Sequence, residues 1–359
     1  MNRYPFLIVC VVVMLSACKK DVENVTVEYD DTPYVLNYGS FPPPNAAGAN
    51  VLTAQKIALG RMLFHERRLS SNLSQSCADC HRQEHSFTDT ATFSVGAEGA
   101  VGDRQAMAIF NMAWNSNGFF WDGRALELHD QATQPIQNPV EMNETIAGVV
   151  AKLSADNAYK DQFVRAFGDD AITEERMGEA LAQFMFTFVS NNSKYDRFLA
   201  GNANLTPSEE RGRQLFFTEY NPFFPNESGA DCAHCHGGPN FENDRYMNNG
   251  LDVEADFTDL GRYDVTANSA DRAKFKVTSL RNIAVTPPYM HDGRFQTLEE
   301  VVDHYNDGIR PSSTLDPALD ATRATGLMLD AQDKADLIAF LNTLTDNAYL
   351  NNPAFGSPF

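Results

Sequence analysis

The 359-residue sequence is poor in cysteine, in basic residues and in long apolar runs. Four of its six cysteines fall in two short motifs, and Cys10 and Cys18 lie near the N-terminus, which leaves no thiol for a structural disulfide. Only 28 Lys and Arg stand against 48 Asp and Glu, and the formal net charge of −20 argues against nucleic acid or anionic lipid as a partner. No apolar run is long enough to cross a bilayer as a helix. These absences exclude a disulfide scaffold, a nucleic-acid-binding protein and a polytopic membrane protein.

The motif Cys-x-x-Cys-His occurs twice, at residues 77–81 and 232–236. In this motif the two sulfurs form thioethers to haem vinyl groups, and the histidine binds the iron. One copy alone would also be compatible with a zinc half-site or a redox-active dithiol, but two copies favour haem. The sequence therefore predicts two covalently bound c-type haems, attached at Cys77 and Cys80 and at Cys232 and Cys235, with His81 and His236 as proximal iron ligands.

Residues 1–18 have the pattern of a lipoprotein signal peptide. Arg3 is followed by a short apolar stretch, which ends in Leu-Ser-Ala-Cys at residues 15–18. This ending resembles the bacterial lipobox, in which the cysteine is lipidated and becomes the new N-terminus. We therefore expect an exported periplasmic or cell-envelope lipoprotein, anchored to a membrane at Cys18. Ordinary cleavage near Ala17 without a lipid is the alternative.

The rest of the chain predicts an all-α fold with two cytochrome c-like haem domains in tandem. Residues 19–50 are polar and then rich in proline and glycine, which is typical of a flexible tether. An internal repeat follows, because Leu-Thr and then Gly-Arg-x-Leu-Phe precede each haem motif. We expect an N-terminal peroxidatic haem domain at residues 51–200 and a C-terminal electron-transfer haem domain at residues 201–350.

Several helix boundaries can be predicted within these domains. Thr53 and Thr206 are candidate N-caps, and Pro207 suits the first position of a helix. Apolar residues at helical spacing predict further helices over residues 178–189 and 330–344, the latter with Asp330 as its cap.

Beyond the haem motifs, six further stretches resemble the bacterial di-haem cytochrome c peroxidase superfamily, which includes MauG. They are Arg-Leu-Ser at 68–70, Phe-Thr-Asp at 87–89, Phe-Trp-Asp-Gly-Arg at 120–124, Asn-Pro-Val-Glu-Met at 138–142, Ser-Leu-Arg-Asn at 279–282 and Pro-Pro-Tyr-Met-His-Asp-Gly at 287–293. The resemblance implies a peroxide-reactive N-terminal haem and an electron-transferring C-terminal haem. By position, Trp121 matches the family's tryptophan between the haems, which implies an electron relay, and Gln131 and Glu141 match its distal-pocket residues.

The chain departs from the peroxidase pattern at the N-terminal haem. Many relatives carry a histidine sixteen residues after the first haem histidine, and this residue closes the resting iron. Ala97 stands at that position and has no ligand atom. The resemblance therefore implies an N-terminal iron that is open, or bound only by water. His85 is the alternative ligand in the same loop.

A second departure concerns the C-terminal haem. The family's peroxidases place an axial methionine fourteen residues after the histidine that matches His291, and here that position is Tyr305. A tyrosine there resembles MauG, which oxidises residues of another protein, and a phenolate should lower the haem potential. The alternatives are that Tyr305 is only packing, with His304, Met290 or Met328 as the ligand.

The resemblance also implies a calcium ion, with Gln105 as the side-chain ligand and the main-chain oxygens of Thr286 and Pro288 as further ligands. Calcium needs several hard oxygens, and the extra methylene of Gln105 departs from the family's usual asparagine.

We expect a di-haem c-type peroxidase that reduces hydrogen peroxide. Its electrons would come from a small redox protein, such as a cytochrome c or a cupredoxin. MauG-like oxidation of a protein substrate and a di-haem electron carrier without peroxide turnover are the alternatives, and a homodimer is left open.

Overall fold

The computed structural model describes residue 1, residues 26–45 and residues 51–359. The expected signal peptide, with Cys10 and Cys18, lies outside the described residues apart from Met1. The described part of the chain is helical with very little strand, so the expectation of a mostly helical fold is confirmed. None of the helices in residues 26–45 and 51–359 combines the length and apolar character needed to cross a membrane.

Thirteen α-helices and two short strands make up the regular structure of the described residues. The helices are α1 (Ala54–Phe64), α2 (Cys77–Cys80), α3 (Leu128–Gln137), α4 (Ile146–Ser154), α5 (Asn157–Phe167), α6 (Glu174–Phe186), α7 (Lys194–Leu199), α8 (Pro207–Phe217), α9 (Tyr263–Thr266), α10 (Leu298–Asp303), α11 (Pro317–Thr322), α12 (Ala331–Asn342) and α13 (Asn347–Leu350). Strands β1 (Tyr246–Met247) and β2 (Phe275–Lys276) pair antiparallel. A π-helical turn, His304–Gly308, continues α10. Single 3₁₀ turns occupy Arg67–Leu69, Gln83–His85, Met112–Trp114, Pro225–Glu227, Cys232–His234, Glu254–Asp256, Ser269–Asp271, Ile283–Val285 and Pro353–Phe355.

The first haem motif is preceded by α1, which packs across α6. The hydroxyl of Thr53 accepts a hydrogen bond from the Lys56 N–H, so Thr53 is the N-cap that its position predicted. A Cβ atom at Gly60 would overlap with the main-chain oxygen of Ala180, which means that the two helices cross in direct backbone contact. The helix predicted over residues 178–189 is α6, which begins four residues earlier because Thr173 caps it.

The second haem motif is preceded by α8, which packs across α12 in the same manner. Thr206 caps α8 in a capping box with Glu209, and Pro207 is its first residue. A Cβ atom at Gly212 would overlap with the main-chain oxygen of Asp336. Asp330 caps α12 as predicted, and the helix ends at Asn342. The repeat in the sequence is therefore a repeat of a helix crossing.

The buried apolar residues form two clusters, which we call the first core and the second core. The first core runs mainly from Leu36 to Phe188, and the second from Tyr195 to Leu344. Tyr349, Leu350 and Phe355 return to the first core, although two of them fall within the residues assigned to the C-terminal domain. Tyr195, assigned to the N-terminal domain, belongs to the second core because its ring packs at 5.2 Å on Phe340.

Residues 26–45 differ from the flexible tether expected for residues 19–50. Leu36 and Phe41 are buried in the first core, and the ring of Phe41 meets the indole of Trp114 edge-on at 5.0 Å. The Trp114 indole N–H donates to the main-chain oxygen of Pro42 at 2.8 Å. The apolar side chains in this polar segment therefore hold it against the protein.

Candidate functional site

A cavity of about 540 Å³, which we call the first cavity, is lined by Cys77, Cys80 and His81. Its wall is largely apolar, and both thiols are free. His81 Nδ1 lies 2.7 Å from the main-chain oxygen of Phe87, so this nitrogen is the N–H donor and Nε2 is free to bind a metal. Burial lowers the pKa of His81, which favours the neutral imidazole that ligates iron. These donors fit a covalently attached haem.

A second cavity of about 260 Å³ is lined by Cys232, Cys235 and His236. His236 Nδ1 lies 3.1 Å from the Thr278 oxygen and 3.3 Å from the Phe241 oxygen, which again leaves Nε2 free. Burial lowers the pKa of His236 to about 4. The same donor set in the same arrangement therefore fits a second haem.

The structure brings Gln131 and Glu141 together in the wall of the first cavity. Gln131 lies on α3, and Glu141 follows the end of that helix. Burial raises the pKa of Glu141 above its usual range, against the opposing effects of a 2.8 Å hydrogen bond from the Asn138 amide and of the Arg124 charge. The cavity thus holds an amide and a carboxyl group that keeps its proton to a higher pH than an ordinary glutamate.

Ala97 lies beside these residues, because its N–H donates to the main-chain oxygen of Glu141 at 2.7 Å. Its neighbours Val95 and Gly96 line the first cavity. His85 does not line that cavity, and its Nδ1 lies 3.2 Å from the main-chain oxygen of Val285. The geometry therefore disfavours His85 as the substitute ligand.

Trp121 lines both cavities. Its indole N–H donates to the main-chain oxygen of Gln105 at 2.8 Å, and its own carbonyl accepts from the Lys276 N–H at 2.8 Å. Its ring meets His291 edge-on at 6.5 Å. The residue is thus fixed between the two cavities, and its role as an electron relay stays a prediction.

Tyr305 and Met290 both line the second cavity, whereas His304 and Met328 do not. The Asn249 amide lies 3.4 Å from the Tyr305 hydroxyl and 3.2 Å from the Met290 sulfur. Burial raises the pKa of Tyr305 to about 12. Two of the four ligands considered from the sequence therefore remain candidates on geometric grounds.

The three residues implied for calcium also line the second cavity. Gln105 is buried, and its amide N–H groups donate to the Thr88 hydroxyl at 2.8 Å and to the Asp89 oxygen at 3.2 Å. Because the nitrogen of this amide makes both contacts, its carbonyl oxygen is the atom that would bind a cation. Within the described residues, no cluster of three or more His, Cys, Asp or Glu side chains could hold a metal ion. A cation here would rest on neutral oxygens, chiefly those of Gln105, Thr286 and Pro288.

Sequence reasoning missed several polar residues of the cavity walls, of which Lys276, Glu242 and Asn249 matter most for the chemistry. Lys276 lines both cavities, and Glu242 lines the first, where burial raises its pKa to about 7. Asn249 lines the second. All three lie between the second haem motif and residue 279, in irregular or two-residue strand segments without local periodicity. No signal in the sequence alone would have marked them.

Comparisons with known proteins agree with this geometry. The sequence pattern of the family described as di-haem cytochrome c peroxidase matches residues 54–204. The methylamine utilization protein MauG of Methylophilus methylotrophus is 34% identical over 86% of this chain and 87% of its own length. Cytochrome c551 peroxidase of Nitrosomonas europaea is 38% identical over 70% of this chain and 72% of its own.

Among solved structures, a MauG-like protein associated with microbial copper homeostasis superposes with a TM-score of 0.79 at 34% identity. It covers 90% of this chain and 98% of its own. Identity above 30% over more than two thirds of both chains, in sequence and in structure, establishes the relationship. The chain belongs to the di-haem cytochrome c peroxidase family, whose members are oxidoreductases with two c-type haems.

Proposed function

We propose that this protein reduces hydrogen peroxide to water in the first cavity, with electrons that arrive through the second. The observation that carries this proposal is the position of Gln131 and Glu141. Both line the cavity that holds the first haem motif, and Ala97, at the family's ligand position, offers the iron no side chain. An open coordination site beside an acid–base group is what peroxide cleavage needs.

When bound at His81, the haem would supply an iron that takes up the peroxide and passes electrons to it. Gln131 orients the peroxide by hydrogen bonding. Glu141 takes a proton from the near oxygen and delivers it to the departing one, so that one peroxide, two electrons and two protons give two waters. The raised pKa of Glu141 suits this exchange, because the carboxyl can both hold and release a proton near its working pH.

A haem held at His236 would supply the electrons for this cavity. We assign Trp121 as the relay, because its indole lines both cavities. The repeated helix crossing supports two cytochrome c-like domains in tandem, and the donor is a small redox protein such as a cytochrome c or a cupredoxin. A net charge of −20 favours a basic donor.

A calcium ion would occupy the site formed by the Gln105 side chain and the main-chain oxygens of Thr286 and Pro288. The position of Gln105, Thr286 and Pro288 in the wall of one cavity supports this assignment, with waters completing the shell. The main-chain oxygen of Gln105 also accepts a hydrogen bond from the Trp121 indole, so such an ion would hold the relay in place.

Export and membrane attachment at Cys18 complete the proposal. The charged start, short apolar stretch and lipobox-like ending of residues 1–18 support a periplasmic or cell-envelope lipoprotein. Covalent c-type haem also fits an exported chain, and a homodimer would be compatible with such an anchor.

Substitution of Glu141 by glutamine tests the peroxidase mechanism. Glu141→Gln keeps the size and polarity of the side chain but removes its proton-transfer ability. Peroxide turnover should fall by about 10²–10⁴-fold, while both haems stay bound. Steady-state turnover with a reduced redox protein, beside a haem count, measures this. Glu144→Gln is the matched control, because Glu144 pairs with Lys152 and does not line the cavity.

The pH profile gives the same test a second readout. Turnover should rise with pH as the Glu141 carboxyl loses its proton, and this rise should lie above the ordinary pKa of a glutamate because burial raises the pKa. In Glu141→Gln the rise should disappear. A variant with wild-type turnover and an unchanged profile would remove Glu141 from the mechanism.

MauG-like oxidation of a protein substrate is the second candidate, favoured by one observation. Tyr305 lines the second cavity at the position where the family's peroxidases have methionine. An anionic oxygen ligand would lower the potential of that haem and favour extraction of electrons from protein side chains. Covalent change in a partner protein after peroxide addition, detected by mass spectrometry, would separate this function from simple peroxide reduction.

A further inference from the structure

One side-chain amide holds two different kinds of metal ligand in the second cavity. The amide nitrogen of Asn249 lies 3.2 Å from the Met290 sulfur and 3.4 Å from the Tyr305 hydroxyl. An amide carries two N–H donors, so both contacts form at once. Both acceptors line the cavity that contains His236. A thioether and a phenol therefore share one amide donor in the wall of the cavity that contains His236.

The backbone on both sides of this pair departs from regular structure. Met290 has a φ of +77°, in the left-handed region that residues with a side chain seldom adopt. Tyr305 lies in the π-helical turn His304–Gly308, a rare form that is frequently found at functional sites. Backbone strain of this kind persists where surrounding structure fixes it, and it clusters at ligand sites. Each residue is thus held in the cavity by its own local distortion.

Asn249 is itself fixed to the turn that carries Tyr305. Its main-chain oxygen lies 3.0 Å from Nε2 of His304, the residue before Tyr305. This contact explains why His304 points away from the cavity. The main chain of Asn249 is therefore tied to the turn from which Tyr305 enters the cavity.

We propose that Tyr305 and Met290 are alternative axial ligands of the haem held at His236, exchanged with its oxidation state and positioned by Asn249. The proposal rests on the proposed function, because it assumes that this haem accepts and passes on electrons. It assigns Met290 a role as the ligand of the reduced protein and Asn249 a role as a positioning residue.

The chemistry of the two side chains supports this assignment. A phenolate is a hard, anionic donor that favours ferric iron, whereas a thioether is a soft, neutral donor that favours ferrous iron. When one electron arrives from the protein donor, Tyr305 loses its bond to iron and takes one proton from water. Met290 then forms its sulfur–iron bond. Loss of the electron reverses both steps and returns the proton.

Carbon monoxide uptake by the reduced protein tests the exchange directly. Carbon monoxide binds ferrous haem with an open position but not haem that a thioether closes. The dithionite-reduced wild type should bind one carbon monoxide per chain, at the open first haem. Met290→Leu should bind two per chain, because leucine fills the same space without a ligand atom.

The oxidised protein provides the opposite readout. Met290→Leu should leave the ferric spectrum unchanged, whereas Tyr305→Phe should abolish the phenolate-to-iron charge-transfer band and leave carbon monoxide uptake at one per chain. Asn249→Ala should shift that band and raise uptake above one per chain. Met247→Leu is the matched control, since Met247 lines the same cavity but contacts Cys235 and Asn243 rather than Asn249.

Three results would overturn the exchange. Carbon monoxide uptake would stay at one per chain in Met290→Leu, it would already be two per chain in the wild type, or Met247→Leu would increase it. Asn249→Ala with unchanged band and uptake would remove the positioning role. Peroxide turnover of the wild type, measured on the same preparation, keeps this test separate from the proposed function. If the wild type turns over peroxide and Met290→Leu still takes up one carbon monoxide per chain, only the exchange is rejected. If the wild type does not turn over peroxide, the peroxidase function itself is rejected.

Discussion

The two cavities are built on the same helical unit but are lined by different functional side chains. Each has a capped helix, a close helix crossing, a Cys-x-x-Cys-His motif and a histidine whose Nδ1 faces a main-chain oxygen. The first cavity adds Gln131 and Glu141, for which we propose binding and protonation of peroxide. The second adds Tyr305 and Met290, which we propose as iron ligands.

The shared features and the differing features of the two units lie in different segments of the chain. Haem attachment depends on the motif, and each crossing pairs the helix before the motif with a helix far along the chain, α6 or α12. Both features are alike in the two halves. The distal groups come from segments that follow the motif at different distances, so they can differ without disturbing the crossing. The two halves can therefore carry different distal groups on the same helical unit.

The largest effect should come from removing one haem at a time. Cys77→Ala with Cys80→Ala, and Cys232→Ala with Cys235→Ala, should each reduce the haem count from two to one per chain and abolish donor-dependent turnover. Only the second pair should keep the spectral change on peroxide addition, because it keeps the cavity with Glu141. Pyridine haemochrome assay and stopped-flow spectra measure both results, with circular dichroism as the control for folding.

A peroxide-dependent spectral change in the Cys77→Ala, Cys80→Ala protein would break the comparison. The peroxide site would then lie in the second cavity.

The helix crossings should respond alike to a smaller change. Gly60→Ala and Gly212→Ala each place a methyl group against a main-chain oxygen of the facing helix, which can move only if the helices separate. Each should lower the free energy of unfolding by about 3 kcal/mol, the upper part of the range for overpacking. Denaturant titration checks this, with Gly356→Ala as control, since its nearest neighbour would lie 3.8 Å away. Unequal losses would show that the two crossings differ in stiffness.

The smallest effect concerns a buried carboxylate that only the second crossing has. Asp336 is buried at the place where the first crossing has Ala180. Burial raises the pKa of Asp336, but hydrogen bonds from Ser208, Arg211 and Gln332 outweigh burial and hold the pKa below its usual value. Asp336→Ala should therefore cost about 1–2 kcal/mol at neutral pH.

The sign of this effect with pH follows from the lowered pKa. The contribution of Asp336 is present above the ordinary pKa of aspartate, near 4, and is lost as the pH falls through the lower native pKa. Unfolding curves of the wild type and Asp336→Ala should therefore converge below about pH 4. A difference that persists there would show that packing, rather than charge, sets the cost.

The parts of the molecule that depend on nearby residues could be predicted from the sequence. Thr53, Thr206 and Asp330 cap helices as expected, because a cap acts on the three residues that follow it. The cavity positions of Gln131 and Glu141 followed from family resemblance rather than from local physics.

The parts of the molecule that depend on contacts between distant residues could not be predicted from the sequence. Phe41 packs on Trp114 across a long stretch of chain, so a polar, proline-rich composition gave no warning that residues 26–45 are packed. Likewise, Lys276 and Asn249 reach the cavities through irregular segments whose path only the whole fold determines.

The return of the C-terminal segment to the first core has a consequence for how the chain is made. The Tyr349 hydroxyl donates a hydrogen bond to the Ile109 main-chain oxygen. The Arg61 guanidinium donates one to the Gly356 main-chain oxygen at 2.7 Å. A chain still being synthesised therefore lacks part of its first core until residues 349–356 emerge. Because contacts between distant residues form slowly, the half that starts first should mature last. Haem could be attached to it while it is still open.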